Sequence, residues 1–221
     1  MVSIIIPARN EEETIGHVVG RCLIAVNPVQ IIVVDDHSTD KTAETAERHG
    51  ATVMLSEARG MWAAIRTGLK EAKGQIIVLF DADLEMLPED IPHVINPIEK
   101  RIADVVYGNR FAASGYRYLD TATHRNGNRL LTILNGIFTN RDWGDEACGF
   151  RAFNRKVADA LELKEDGFGG THEFNARVKS YDIIEVPVFY KPRSIQQGKK
   201  IRLWHGLEAI WCMIKYNWLG R

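Results

Sequence analysis

Long apolar runs are missing from this 221-residue chain: nowhere do about 18 uninterrupted apolar residues occur, so the chain itself is not expected to span a bilayer. Cysteine is scarce as well. Cys22, Cys148 and Cys212 are widely separated, form no metal-type pair and leave one over if any two were bridged, which argues against a disulfide scaffold and fits a reducing cytoplasm. Net charge is nearly absent. With 28 Lys and Arg against 29 Asp and Glu, the formal charge of -1 gives no bulk attraction to nucleic acid, so any anionic partner must be gripped locally. The apolar opening from Met1 to Pro7 is too short for a signal peptide and lacks its basic leader, so no secretion is expected. Internal repeats and low-complexity segments are absent too, which removes solenoids and disordered linkers from consideration.

What is present suits one soluble globular unit, with 45% apolar and 26% charged residues. The first hundred residues alternate short β-branched runs (2–6, 31–34 and 76–80) with longer helix-like stretches, the mark of βαβ units and a parallel sheet. Those runs are apolar throughout, which places helices on both sheet faces. Asp40 is a plausible N-cap for a helix over 41–49 that Gly50 stops, and Pro88-Glu89-Asp90 opens another. Beyond about Phe111 the pattern loosens into a basic helical stretch over 123–139, a glycine-rich turn at 167–170, a helix over 174–180 and a strand over 183–190. The expected division is a nucleotide-binding half over 1–110, an acceptor half over 111–198 and an amphipathic helix over 199–221.

In an open α/β sheet, ligands gather beyond the carboxyl ends of the strands. Two of the clearest strands end in carboxylates there, Asp35-Asp36 and Asp81-Ala82-Asp83. Each pair repels itself unless a cation or an array of donors compensates. Hard oxygen ligands at this spacing suit Mg2+ or Mn2+, which takes one or two protein carboxylates and completes its shell with phosphate oxygens and water. The alternative for Asp81 and Asp83 is a helix cap plus a solvated loop acid; for Asp35 and Asp36, followed by Ser38, Thr39 and Asp40, it is capping of the next helix.

An ordered set of motifs narrows the choice. Pro7-Ala8-Arg9-Asn10-Glu11-Glu12, then 34–42 around Asp35-Asp36, then Arg59-Gly60 with Ala64 and Gly68, then Asp81-Ala82-Asp83-Leu84-Glu85 and Pro88-Glu89 resemble the family two inverting glycosyltransferases of the GT-A fold. Within that family the sequence is most similar to polyprenyl-phosphate (dolichol-phosphate) mannosyltransferases, through 108–111, through Asp145 to Ala152, and through Glu185-Val186-Pro187-Val188 leading to Arg193. The resemblance implies a Rossmann-like, mostly parallel sheet. It also implies that Pro7, Arg9, Glu11, Asp35 and Asp36 serve the nucleoside side, that Arg59 approaches the phosphates, and that Asp81, Asp83 and Glu85 surround Mn2+ or Mg2+. Arg110, Arg125 and Arg193 match the acceptor-phosphate set, while Arg129 falls where the family tends to have a hydroxyl. Arg9 stands where an aromatic residue is common, Glu85 replaces a frequent Gln, and Gly198-Lys199-Lys200 only approximates the family's Gly-x-Ser-Lys element.

The implied reaction is metal-dependent, inverting transfer of mannose or glucose from a nucleoside diphosphate sugar, GDP-mannose or UDP-glucose, to polyprenyl phosphate, with Asp83 and the arginines in the catalytic set. Arginine suits the acceptor role because its planar fork binds phosphate bidentately. Two rivals stay open: transfer to a sugar hydroxyl with Glu173 as base, and a nucleotide-sugar-binding module without turnover. In the tail, Trp204, Leu207, Trp211, Ile214 and Trp218 recur at steps of three and four beside Lys199, Lys200, Arg202, Lys215 and Arg221. That pattern suits a helix lying on the cytoplasmic membrane face or, alternatively, one docked on the domain or on a partner.

Overall fold

The computed structural model describes residues 1–112, 122–191 and 203–219, the side chains of 122–128 and 203–205 excepted. The parallel βαβ frame expected from the alternating periods is present: β1 (Val2–Ala8), α1 (Ile15–Ala25), β2 (Val29–Asp35), α2 (Thr42–Arg48), β3 (Thr52–Leu55), α3 (Met61–Glu71) and β4 (Ile76–Leu79). A 3-10 turn at Pro88–Asp90 leads into α4 (Ile91–Glu99) and β5 (Val105–Asn109). Then come α5 (Ala122–Thr139), β6 (Arg151–Asn154), α6 (Arg155–Ala160), α7 (Gly170–Val178), β7 (Ile183–Pro187) and α8 (Leu203–Asn217). The expected strand over 183–190 stops earlier, at Pro187, and Tyr190 is held separately by a bridge to Met86.

Seven strands run in the order β3-β2-β1-β4-β6-β5-β7. All neighbours are parallel except β6, which runs antiparallel to both β4 and β5. Alternate strand residues feed two cores. Ile4, Ile6, Val33 and Val78 pack with α1 and α4, whereas Ile5, Ile32, Ile77 and Leu79 pack with α3 and α7. Both faces are therefore covered, as the unbroken apolar runs require.

Helix α7 begins four residues before the expected 174, so His172 and Glu173 sit inside its first turn rather than ahead of it. The buried Phe174 of this helix ties its face of the sheet together, its ring lying 5.6 Å from Trp62, 6.2 Å from Tyr107 and 5.4 Å from Phe153. Helix α8 covers α7 through Ala209, Cys212, Met213 and Tyr216. All three cysteines are buried and their thiols are pushed up to about 12 by burial, which makes them packing residues. Phe174→Ala should cost about 3–5 kcal/mol through the cavity it leaves, read as a lower urea midpoint with an unchanged slope.

Candidate active site

The carboxyl ends of β1, β2 and β4 lie side by side, so the loops that follow them share one edge of the sheet. Each loop turns through a left-handed non-glycine residue: Asn10, His37 and Leu84, with φ of 56°, 55° and 58°. Such conformations cost of order 1 kcal/mol and persist where their surroundings impose them, often at functional sites. After β3 the turn uses Gly60 at φ 122°, where a Cβ would overlap the Asp166 carbonyl. Its N–H donates to both oxygens of Asp36 at 3.1 Å, and Arg9 Nη1 lies 3.9 Å from the same carboxylate. Asp36 thus fastens the loop carrying Arg59, which is exposed.

Asp35 has a local task instead, accepting the Ser38 N–H on both oxygens at 3.3 and 3.2 Å. Neither it nor Asp36 caps α2. Asp40 serves that helix start, its Oδ1 accepting from the Thr42 N–H at 3.0 Å and from the Thr42 hydroxyl at 2.5 Å. Pro7, Arg9, Glu11, Asp36, Asp81 and Asp83 line one open cleft of about 210 Å³. Asp35, Arg59 and Glu85 do not line it.

Burial pushes the Asp81 carboxyl above its ordinary range and the charge of Glu85 adds to this, against the pull of Arg110 and Arg151. Gly149, two residues before β6, lets the backbone close on Asp81, since a Cβ there would overlap the carboxylate. Asp83 Oδ1 accepts the Glu85 N–H at 3.0 Å, shaping the turn. Asp81, Asp83 and Glu85 do not converge as an all-protein cage: among the described residues, no three acidic, His or Cys side chains do so. A cation here would have two carboxylates and an otherwise external shell, the arrangement usual for Mg2+ with phosphate.

Behind Asp81 a second cavity of about 180 Å³ opens, sharing Pro7, Met61 and Asp81 with the cleft. Its polar lining includes Glu146, Arg151 and His172, none of which the sequence reading assigned to the site. Arg151 donates to the carbonyls of Cys148 and Glu146 at 2.8 and 3.0 Å, and its guanidinium lies against Trp62, Tyr107 and Phe174. Among the described residues its Nη1 has no hydrogen-bond partner, nor do Glu146 Oε1 and the two ring nitrogens of His172. Glu146 is 0% exposed and its other oxygen accepts from Asn175 at 2.6 Å. Burial pushes its carboxyl up to about 7 although Arg151 pulls the other way. Burial and the charge of Arg151 hold the His172 imidazole down at about 3. A signal for this cluster exists in Cys148-Gly149-Phe150-Arg151-Ala152-Phe153, where one arginine interrupts an otherwise apolar run.

The acceptor set is brought together only in part. Arg110 lines the cavity, but its fork is engaged by Asp145, with Nε and Nη2 donating at 2.7 and 2.6 Å, and its plane lies 5.2 Å from the Tyr190 ring. Arg129 is exposed on α5. The Arg125 side chain and Arg193 lie outside the described residues. Glu173, the expected base for a hydroxyl acceptor, is 0% exposed and does not line the cavity; its Oε2 accepts the N–H groups of Lys164 and Glu165, both at 2.8 Å, and so orders a loop.

The sequence profile described as Glycosyl transferase family 2 matches residues 3–162. The chain belongs to this family. The matched span holds both carboxylate pairs and β1 to α6, while α7, β7 and α8 lie beyond it. Among curated relatives, a dolichol-phosphate mannosyltransferase of Pyrococcus furiosus is 31% identical over 212 residues, which cover 90% of this chain and 58% of the relative. An undecaprenyl-phosphate 4-deoxy-4-formamido-L-arabinose transferase of Yersinia enterocolitica is 33% identical over 171 residues, covering 72% of this chain and 50% of the relative. The chain therefore spans between half and three-fifths of the length of these proteins. Among solved structures, glucosyl-3-phosphoglycerate synthase from Mycobacterium tuberculosis, in complex with Mn2+, uridine-diphosphate and phosphoglyceric acid, superposes with a TM-score of 0.79 at 20% identity, covering 99% of this chain and 78% of that one. That likeness shows the family's GT-A fold.

The raised Glu146 pKa has a consequence for this family member's stability. Between its ordinary value near 4.5 and about 7, the unfolded chain releases a proton that the folded one keeps, so the residue's contribution falls as pH rises through that window. Glu146→Gln should therefore gain stability relative to the parent between pH 4.5 and 7, by up to ~3 kcal/mol, seen as a difference in melting temperature that grows with pH.

Proposed function

We propose that this chain transfers a hexosyl group, mannose or glucose, with inversion from a nucleoside diphosphate sugar to polyprenyl phosphate on the cytoplasmic face of a membrane. One observation carries the reading: Asp81 joins the cleft lined by Arg9, Asp36 and Asp83 to the cavity lined by Arg110 and Arg151, so a diphosphate and the group attached to it can occupy continuous space. The names of the two curated relatives, both polyprenyl-phosphate sugar transferases, support the acceptor class.

Pro7, Arg9, Glu11 and Asp36 take the nucleoside, with the half-exposed guanidinium of Arg9 available to stack on the base. Asp81 and Asp83 would hold Mn2+ or Mg2+. Their donor set is oxygen only, which suits a hard divalent cation; burial, with the charge of Glu85, raises the Asp81 pKa. When bound, such a cation offsets charge on the leaving diphosphate. Arg59, exposed on the loop that Asp36 fastens, can reach a phosphate at the cleft rim. On the acceptor side a lipid phosphate is already an anionic nucleophile, so positioning and charge stabilisation suffice. The commitment of Glu173 to two backbone N–H groups agrees with a reaction that needs no strong base. Arg110, aimed by Asp145, with Arg125 and Arg193, forms the phosphate-binding set.

No helix among the described residues is long and apolar enough to cross a membrane, and the lipid contact proposed for them is peripheral. Helices α5 and α8 supply a surface for it. They pack together, the Phe138 ring lying tilted 4.8 Å from that of Trp218 just past α8, while Leu130, Ile133 and Ile137 of α5 and Leu207 and Trp211 of α8 are exposed. Apolar patches of this kind on otherwise polar surfaces mark interaction sites.

Two measurements check the reading. Incubated with labelled nucleotide sugars, a short polyprenyl phosphate and Mn2+, the protein should yield a labelled lipid, and Asp83→Ala should reduce the rate at least ~100-fold; transfer to a free glycan but to no lipid would overturn the acceptor. In flotation with vesicles containing anionic lipid, the parent should rise with the vesicles, whereas Ile137→Glu combined with Trp211→Glu should stay in the soluble fraction without loss of melting temperature.

A further inference from the structure

We infer that Glu185, which lines neither the cleft nor the cavity, is a positioning residue for Arg110: its carboxylate holds, by two routes, the backbone and the partner that aim this arginine. This rests on the acceptor reading above, in which Arg110 meets the lipid phosphate, and names what places that guanidinium.

Strand β7 lies parallel to β5, with Glu185 opposite Tyr107 and Pro187 opposite Asn109, so the side chains of Glu185 and Asn109 share a face. Along that face the apolar row of Val105, Tyr107 and Ile183 gives way to polar groups. Glu185 Oε2 accepts from Asn109 Nδ2 at 2.5 Å, and Oε1 accepts the Gly144 N–H at 2.8 Å and the Asp145 N–H at 3.3 Å. Bonds to a carboxylate are roughly twice as strong as those between neutral groups. Gly144 makes the approach possible. A Cβ at that position would overlap both Asn109 Nδ2 and Glu185 Oε2, so any side chain there would drive the loop off the strand pair.

Both routes end on Arg110. The buried Asp145 carboxylate accepts the Arg110 backbone N–H at 2.9 Å and its Nε and Nη2 at 2.7 and 2.6 Å, so the place of Asp145 fixes the fork. Asn109 directly precedes the arginine. With its Nδ2 drawn to Glu185, its Oδ1 turns to the N–H groups of Phe111 and Ala112, at 2.8 and 2.9 Å. One carboxylate thus sets the residue before Arg110, the two residues after it and the partner of its guanidinium. Misplacing a positioned group by about 1 Å can cost on the order of 100-fold in rate, so loss of this support should show in acceptor use. The donor cleft is built on β1, β2 and β4, which β6 and β5 separate from β7. A fault at Glu185 should therefore spare the nucleotide.

Exchanging donor and acceptor tests this. Glu185→Gln alone sets two amide NH2 groups against each other, because Asn109 can turn over only by giving up the N–H groups of Phe111 and Ala112. Asn109→Asp alone sets two carboxylates face to face. Made together, the two substitutions reverse the bond and allow every contact to form again at the same net charge. With Mn2+ and saturating nucleotide sugar, Glu185→Gln should raise the KM for a short polyprenyl phosphate at least ~10-fold while calorimetric affinity for GDP and UDP stays within ~2-fold. The paired exchange should bring that KM back to within ~3-fold of the parent. A second readout needs no substrate. The Arg110 Nε–H signal in nitrogen-resolved NMR, assigned by its absence from Arg110→Lys, should exchange with water at least ~10-fold faster in Glu185→Gln and regain the parent rate in the paired exchange.

An unchanged KM or exchange rate in Glu185→Gln, an equal loss of nucleotide affinity, or a fault that the paired exchange does not repair would overturn the positioning. Should Glu185→Gln fail to fold, Asn109→Asp breaks the same bond and is read in its place; failure of both to fold would overturn the inference as well. No labelled lipid from the parent with any donor, together with a protected Arg110 signal that Glu185→Gln releases, would support the positioning and overturn the acceptor reading instead.

Discussion

Four carboxylates, Glu11, Asp36, Asp81 and Asp83, line one cleft at the carboxyl edge of the sheet, and repulsion between charges so placed must be offset by donors or cations. The protein offsets it unevenly. Asp36 has the Gly60 N–H and a nearby Arg9, and Asp83 accepts a backbone N–H from its own turn. At Asp81 burial and the charge of Glu85 outweigh the fields of Arg110 and Arg151. Those two arginines are themselves anchored, one by the Asp145 carboxylate and the other by carbonyls at Glu146 and Cys148. Charge compensation at Asp81 is thus incomplete by construction, which leaves it open to a cation arriving with a diphosphate.

The same edge explains why four neighbouring loops tolerate left-handed backbone. Parallel strands deliver their chains to one side together, and each must turn sharply to reach its helix on one face or the other. Asn10, His37, Gly60 and Leu84 are the turning points. Only Gly60 escapes the conformational cost, and it does so where the Asp166 carbonyl leaves no room for a side chain. Asn10 is held by cross-loop bonds, its side chain accepting from the Thr39 N–H at 2.8 Å and its own N–H donating to Ser38 at 3.0 Å.

Much of this was legible before any coordinates. Period and composition locate β1, β2 and β4, and unbroken apolar runs imply two covered faces; Gly50 follows the end of α2 as expected, whereas the N-cap is Lys41 and Asp40 supports the helix start from one residue earlier. The short β3, β5 and β6 were not singled out, because runs of four or five residues carry too little pattern and β6 contains an arginine. Placement of Pro7, Arg9, Glu11, Asp36, Asp81 and Asp83 in one cleft follows motif order. The cavity polar groups do not. Glu146 and His172 come from segments 26 residues apart, and nothing local to either shows that folding strips both of water and leaves them facing one space.

Sheet register accounts for the placement of Arg151 beside them. In an antiparallel pair, directly opposed residues share a face, and Arg151 stands opposite both Leu79 and Tyr107. Leu79 and Tyr107 belong to the face packed by α3 and α7, so Arg151 is delivered there, against Trp62 and Phe174 of those helices and just short of Asp81. A slip of one residue would move it to the opposite face, among Ile4, Val78 and Val106, where the core offers a guanidinium no acceptor array. The antiparallel strand that breaks the βαβ frame is therefore what carries positive charge to the cavity side of Asp81, and its register is tied to the burial of that charge.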